Sequence, residues 1–171
     1  MPRAPGRVLL SAPFSDGVTR RVCWAAASDV LGTFPAWVHQ REPDESRVAD
    51  IAGFVLAQVP LLPPGEDGLR PTPLPGCVTT FTMHDRQPAS YSSTPAAPLA
   101  VAPPQPRGLI DGQHRLLALG RAAHTLQTEA MAGQATESAA SAEEFEFGVL
   151  VEDYVVTNWD STKSLFLQLN R

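Results

Sequence analysis

Residues Leu109–Arg121 read Leu-Ile-Asp-Gly-Gln-His-Arg-Leu-Leu-Ala-Leu-Gly-Arg, and this stretch limits the fold more tightly than any other. Leu109 and Ile110 end a buried strand, Asp111-Gly112 is a turn dipeptide, and apolar residues from Leu116 onward recur at helical spacing. Polar side chains therefore sit at a strand-to-helix corner. Such a corner presents free backbone N–H groups and the positive end of the helix dipole, which together favour an anion such as phosphate. Arg115 offers a forked, bidentate grip on that anion, and His114 a hydrogen bond or a proton near neutral pH. Gly112 answers a need for close backbone approach or positive φ. Three roles stay open for Asp111: orienting His114 or Arg115, holding a metal–nucleotide complex, or capping the helix through the amides of residues 113 and 114. Composition alone also allows a plain strand, turn and helix whose first-turn side chains are merely solvated.

The elements on either side alternate in kind. Arg7–Ala12 and Thr19–Trp24 form two short strands of a hairpin turning around Ser15-Asp16-Gly17. Pro35, within Thr33–Trp37, rules out continuous helix there. From Asp44 or Ser46 as N-cap, Val48, Ile51, Ala52, Val55 and Leu56 make the stripe of an amphipathic helix that ends at Pro60. Cys77–Met83 has the β-branched and aromatic content of a strand. The motif helix is expected from Gln113 to about Glu129, with Leu116, Leu119, Ala123 and Leu126 near one face. Phe145, Phe147, Val149 and Val151 lie at period two, giving a strand over Phe145–Val156. Asn158–Ser161 is a turn, and Leu165–Leu169 a final strand or helical turn. Loops are expected at 60–75, 84–107 and 131–142; the second holds six prolines between His84 and Pro106, with Leu99–Val101 as a short strand docked within it. Strands and helices interspersed in this way describe one mixed α/β (α+β) domain spanning 1–171.

Charge narrows the partners. The net charge is −5, and seven acidic residues fall between Glu137 and Asp160 without a lysine or arginine among them. A phosphate backbone is repelled by such a segment, so DNA contact has to be local or assisted by a partner. Cys23 and Cys77 are too few for a disulfide framework and lack ligand spacing, as do His39 and His84, so no metal site is expected. Trp24, Trp37 and Trp159 read as packing residues, and Arg107, Arg121 and His124 as solvated ones. No apolar run is long enough to span a bilayer, which leads to the expectation of a soluble cytoplasmic protein without a membrane partner. Gly-x-Ser-x-Gly, Walker, Rossmann and HExxH patterns are missing from the sequence.

Asp111, Gly112, Gln113, His114 and Arg115 spell DGQHR, and the segment resembles the DGQHR-domain family, which includes the DndB proteins of DNA sulphur-modification systems. Arg47–Val55 is similar to that family's early helix, and Phe166–Arg171 to its apolar strand ending in Asn. The resemblance implies a ParB/sulfiredoxin-like fold with a small mixed sheet, in which a nucleotide phosphate is bound at the helix N-terminus. It implies Gly112, Gln113, His114 and Arg115 as nucleotide-binding residues, and Asp111, His114 and Arg115 as catalytic ones. The implied cofactor is a nucleoside triphosphate, ATP in the first place, with Mg²⁺ as its companion ion. Sulfiredoxins carry cysteine where this chain has Gln113, so sulfinic-acid reduction is not expected. Proteins of the family continue past the Asn-containing strand, which makes a truncated copy the expectation, and 87–107 reads as an insertion or disordered loop. The function expected is nucleotide binding, with hydrolysis left open, in DNA sulphur modification (phosphorothioation) or its regulation. The alternatives are a non-enzymatic transcriptional regulator or assembly module recognising DNA or a DNA-modification protein, and an inactive truncated fragment.

Overall fold

The computed structural model describes residues 4–15, 17–36, 41–84, 106–134, 145–157, 165 and 167–168. Among these residues, three helices pack against a six-stranded mixed sheet. The elements are β1 (Arg7–Ser15), β2 (Val18–Ala26), α1 (Ala27–Thr33), α2 (Glu45–Gln58), β3 (Arg70–Pro71), β4 (Val78–Met83), β5 (Arg107–Asp111), α3 (Gln113–Gln134) and β6 (Phe147–Val156), with a 3₁₀ turn at Val59–Leu61. The strand order is β1-β2-β6-β4-β5. β4 and β6 run parallel at the centre, while β2 and β5 are antiparallel to their inner neighbours. β2 already occupies one flank of Gly148, so the short β3, parallel to Phe147–Gly148, extends the flank that β4 uses further along. Beyond β5 the sheet is closed off by the chain leaving α1, where Ala36 bridges Leu109 and the Leu109 N–H donates to the Pro35 carbonyl at 2.9 Å.

Alternation along the strands decides which side the helices cover. Cys23, Ala25, Val149, Val151 and Val78 point to one face and join Val30 and Phe34 of α1, Val55 of α2, and Leu116, Leu119 and Ala122 of α3 in the main core. Val48 and Ala52 of α2 meet Ala118 of α3 in a second seam. On the opposite face Val18, Phe81, Ile110, Tyr154, Val156 and Leu165 make a smaller cluster. Asp153, fully buried at 0% exposure, faces the helix side of β6. It is tied to Arg21, and its Oδ1 accepts from Thr80 Oγ1 at 3.0 Å and Thr82 Oγ1 at 3.1 Å. One carboxylate thus stitches β2, β6 and β4 together, and the partners on both oxygens offset its desolvation.

Several boundaries differ from the sequence expectation. β1 and β2 are longer, reaching Ser15 and Ala26, and β2 runs straight into α1. α1 was not expected: its seven residues are too few to show a periodicity, and it has no side-chain cap. It stops at Thr33, before Phe34, which the following Pro35 biases toward extended backbone. The loop expected at 60–75 contains the last residues of the 3₁₀ turn and β3. β5 begins at Arg107, and α3 continues to Gln134 because Ala130, Ala132 and Gln134 are good helix formers; the connector expected from Met131 therefore begins as helix. β6 starts at Phe147, two residues later than expected. Leu165, Leu167 and Gln168 are helical, so the helical turn and not the strand forms at those positions, while Phe166 and 169–171 lie outside the described residues. Asp16, Trp37, His39, the docked strand at Leu99–Val101, the 158–161 turn and Trp159 lie outside the described residues.

Candidate functional site

Asp111 closes β5, Gly112 turns the chain, and α3 starts at Gln113. Gly112 has φ +95°, and a Cβ built on it would lie 3.1 Å from Val78 Cγ2 and 3.2 Å from Val78 Cα. Both demands fall on one residue: a backbone region that L side chains rarely occupy, and a close approach to β4. The first helical bond runs from the Leu116 N–H to the Gly112 carbonyl at 3.0 Å. The N–H groups of Gln113, His114 and Arg115 come before it, so they have no acceptor within the helix.

Arg115 does not reach freely outward. Its Nη2 donates to Asp111 Oδ2 at 2.9 Å and its Nη1 to the Pro75 carbonyl at 3.0 Å. Its side chain is 23% exposed, against 70% for that of Asp111. Of the roles open to Asp111, the structure displays the orienting of Arg115. His114 turns elsewhere: its Nε2 accepts the Asp44 N–H at 3.0 Å, which places the imidazole proton on Nδ1. Asp44 in turn caps α2, its Oδ1 accepting from Ser46 N–H at 2.9 Å and Arg47 N–H at 3.2 Å. Neighbouring helix positions diverge by about 100°, and here they serve different partners, His114 the start of α2 and Arg115 the approach to β4. Gln113 is half-buried at the same turn.

The other residues singled out in the sequence are dispersed. Arg121 pairs with Glu45 at 3.4 Å on the exposed faces of α3 and α2, and Arg107 opens β5. Cys77 follows Pro75 by two residues, and burial pushes its thiol pKa up; the Glu152 carboxylate adds to the rise while Arg115 and Arg20 oppose it. The thiol stays protonated near neutral pH, which is not the state of a nucleophile. Among the described residues no three His, Cys, Asp or Glu side chains converge to hold a metal, and no helix is long and apolar enough to cross a membrane. The sequence signalled Asp44 as an N-cap but gave no sign of its bond to His114. The Pro75 carbonyl carries no side-chain signal at all.

Compared with known proteins, the chain matches no family model, no curated protein and no solved structure.

Proposed function

We propose that the chain binds a nucleotide through its phosphates at the start of α3, as a DGQHR-type protein serving DNA modification or its control. The observation that carries this reading is the turn at Gly112, which places the first-turn amides, those without an acceptor inside the helix, beside a half-buried arginine. Arg115 uses two of its five N–H donors on Asp111 and Pro75, so donors remain for phosphate oxygens. Asp111 is exposed and pairs with that arginine. It fits the role of a single carboxylate sharing a water-rich Mg²⁺ with the phosphates, which supplies charge neutralisation when the ion is bound. Hydrolysis requires activation of a water, and the Nε2 of His114 accepts from a water only by releasing the Asp44 amide.

That last contact favours a second reading. His114 and Arg115 are already engaged within the chain, as expected of a corner that braces α2, α3 and the approach to β4 in a non-enzymatic regulator or assembly module. Calorimetric titration with ATP, with and without Mg²⁺, separates the two. The nucleotide reading expects saturable binding that an Arg115→Ala, His114→Ala double variant loses while still melting cooperatively. Equal binding by the folded double variant would end it, and no binding by the wild type leaves the assembly module.

A further inference from the structure

A cleft lined by none of the motif residues opens beside Trp24, where the starts of β1 and α1 meet the loop before β3. Trp24 alternates along β2 with Cys23 and Ala25, both in the helix-side core, so its indole stands on the other face. A Cβ built on Gly148 would lie 2.0 Å from Trp24 Cζ2 and 2.6 Å from Cε2 and Cη2. Those three distances put the six-membered ring over the Gly148 backbone, in room that only glycine leaves. The indole N–H donates to Asp67 Oδ2 at 2.7 Å, while Asp67 Oδ1 accepts from the Leu69 N–H at 3.1 Å. The ring is therefore fixed both at a face and at an edge.

Two adjoining hollows of about 550 Å³ and about 350 Å³ open beside it, sharing Arg7, Trp24, Asp67 and Leu69. Glu66 lines the larger and Asp29 the smaller. Three carboxylates thus surround an aromatic platform against one guanidinium. The Leu69 amide first, and then the indole N–H, hold the Asp67 carboxyl below its usual range, so it is ionised at neutral pH. A tryptophan face rimmed by carboxylates attracts positive charge through the ring quadrupole and through Coulombic pairing alike.

We infer that this cleft binds an organic cation, an alkylammonium or guanidinium group seated against Trp24 and neutralised by Glu66 and Asp67. A free amine and the side chain of a basic peptide share that chemistry. The test is an NMR titration of the full chain, reading the indole N–H peak that Trp24→Phe removes. Probes are choline, agmatine, a capped Gly-Arg-Gly peptide, and the uncharged carbon isostere of choline. The expected result is a saturable shift with the cations and none with the isostere, with affinity about tenfold weaker in an Asp67→Asn, Glu66→Gln variant. Saturation by choline or agmatine assigns a free cation, and saturation by the peptide alone assigns a basic partner. Should the double variant fail to fold, Glu66→Gln leaves the Asp67 turn intact and is expected to weaken cation binding about threefold. A shift as large with the isostere, no shift with any probe, or unchanged affinity in the folded carboxamide variants overturns the inference.

Discussion

At the scale of single residues, the face of the sheet away from the helices concentrates its polar chemistry around Glu152. Arg20 pairs with that carboxylate, and Tyr154 Oη donates to its Oε2 at 3.2 Å while the Tyr154 ring meets Phe14 edge-on at a centroid distance of 5.0 Å. Burial is the chief cause, with the Glu152 charge and the hydrogen bond behind it, of a Tyr154 pKa pushed up from 10.0 to about 12. The sign of the consequence follows from linkage. Below the unfolded value both states keep the phenol proton, so the native contacts retain their full contribution. As pH rises from 10.0 toward about 12 the unfolded chain releases the proton first, and stability is lost across that window. Cys23, whose thiol is pushed up mainly by burial and further by Asp153, adds a loss of the same sign. Urea unfolding at successive pH values from about 8 to about 11 is expected to show a falling stability. Tyr154→Phe is expected to flatten the upper part of that fall while costing about 1 kcal/mol at neutral pH for the lost hydrogen bond. An unchanged slope in the variant would show that Tyr154 does not titrate as its burial demands.

At the scale of elements, the start of α2 is where one residue serves two structures. Asp44 satisfies two first-turn amides through its carboxylate and offers its own N–H to His114. Asp44→Ala keeps the backbone donor and loses the cap, so it is expected to cost about 1 kcal/mol. His114→Ala instead leaves the cap and removes the acceptor, at about 1 kcal/mol for one net hydrogen bond. Both are read as shifts of the urea midpoint, and a double variant that loses no more than either single one would show that cap and imidazole act as a unit. The element itself was legible: Asp44 or Ser46 as cap, the stripe from Val48 to Leu56 and the stop at Pro60 define α2 in the sequence, the structure selects Asp44, and Val48, Ala52 and Val55 are buried as that stripe requires. The corner at Gly112 was legible for the same reason, since an Asp-Gly step between apolar periodicities is a local signal. What its side chains touch was not. Apart from Asp111, four positions before Arg115 and already a candidate partner, the partners of Arg115 and His114 stand 40 and 70 positions away, and a distance in sequence of that order leaves no trace in periodicity or composition. α1 and β3 escaped notice for a different reason, because seven and two residues are too short to carry a pattern, and the packing of the sheet sets them.

At the scale of the whole molecule, the helices α1, α2 and α3 lie on one face, and among the described residues nothing covers the far edge of the sheet. Among the described residues β1 pairs with β2 alone, and its Val8, Leu9, Leu10 and Phe14 are 45%, 51%, 56% and 41% exposed. The hairpin strand was legible but its exposure was not: pattern records what a segment prefers to touch, and the described chain supplies no second layer over β1. An edge strand that is apolar and unpaired on its outer side is a template for pairing with another chain. Pro13, lacking an N–H, protects only the latter half of the strand. The register shift between Val8 and Leu10 twists the first half without placing a charge beyond Arg7 on it. The chain is therefore expected to self-associate as concentration rises, measured as a growing mass in light scattering. Leu9→Lys is expected to suppress that growth, because a charge on an edge strand opposes strand addition and desolvation there. Since Leu9 is half exposed and outside every buried cluster, the substitution should move the melting midpoint little. Growth that persists in Leu9→Lys would move the origin of association to another surface, with Phe54 on α2 and Leu61 after it, 51% and 73% exposed, as the next positions to charge.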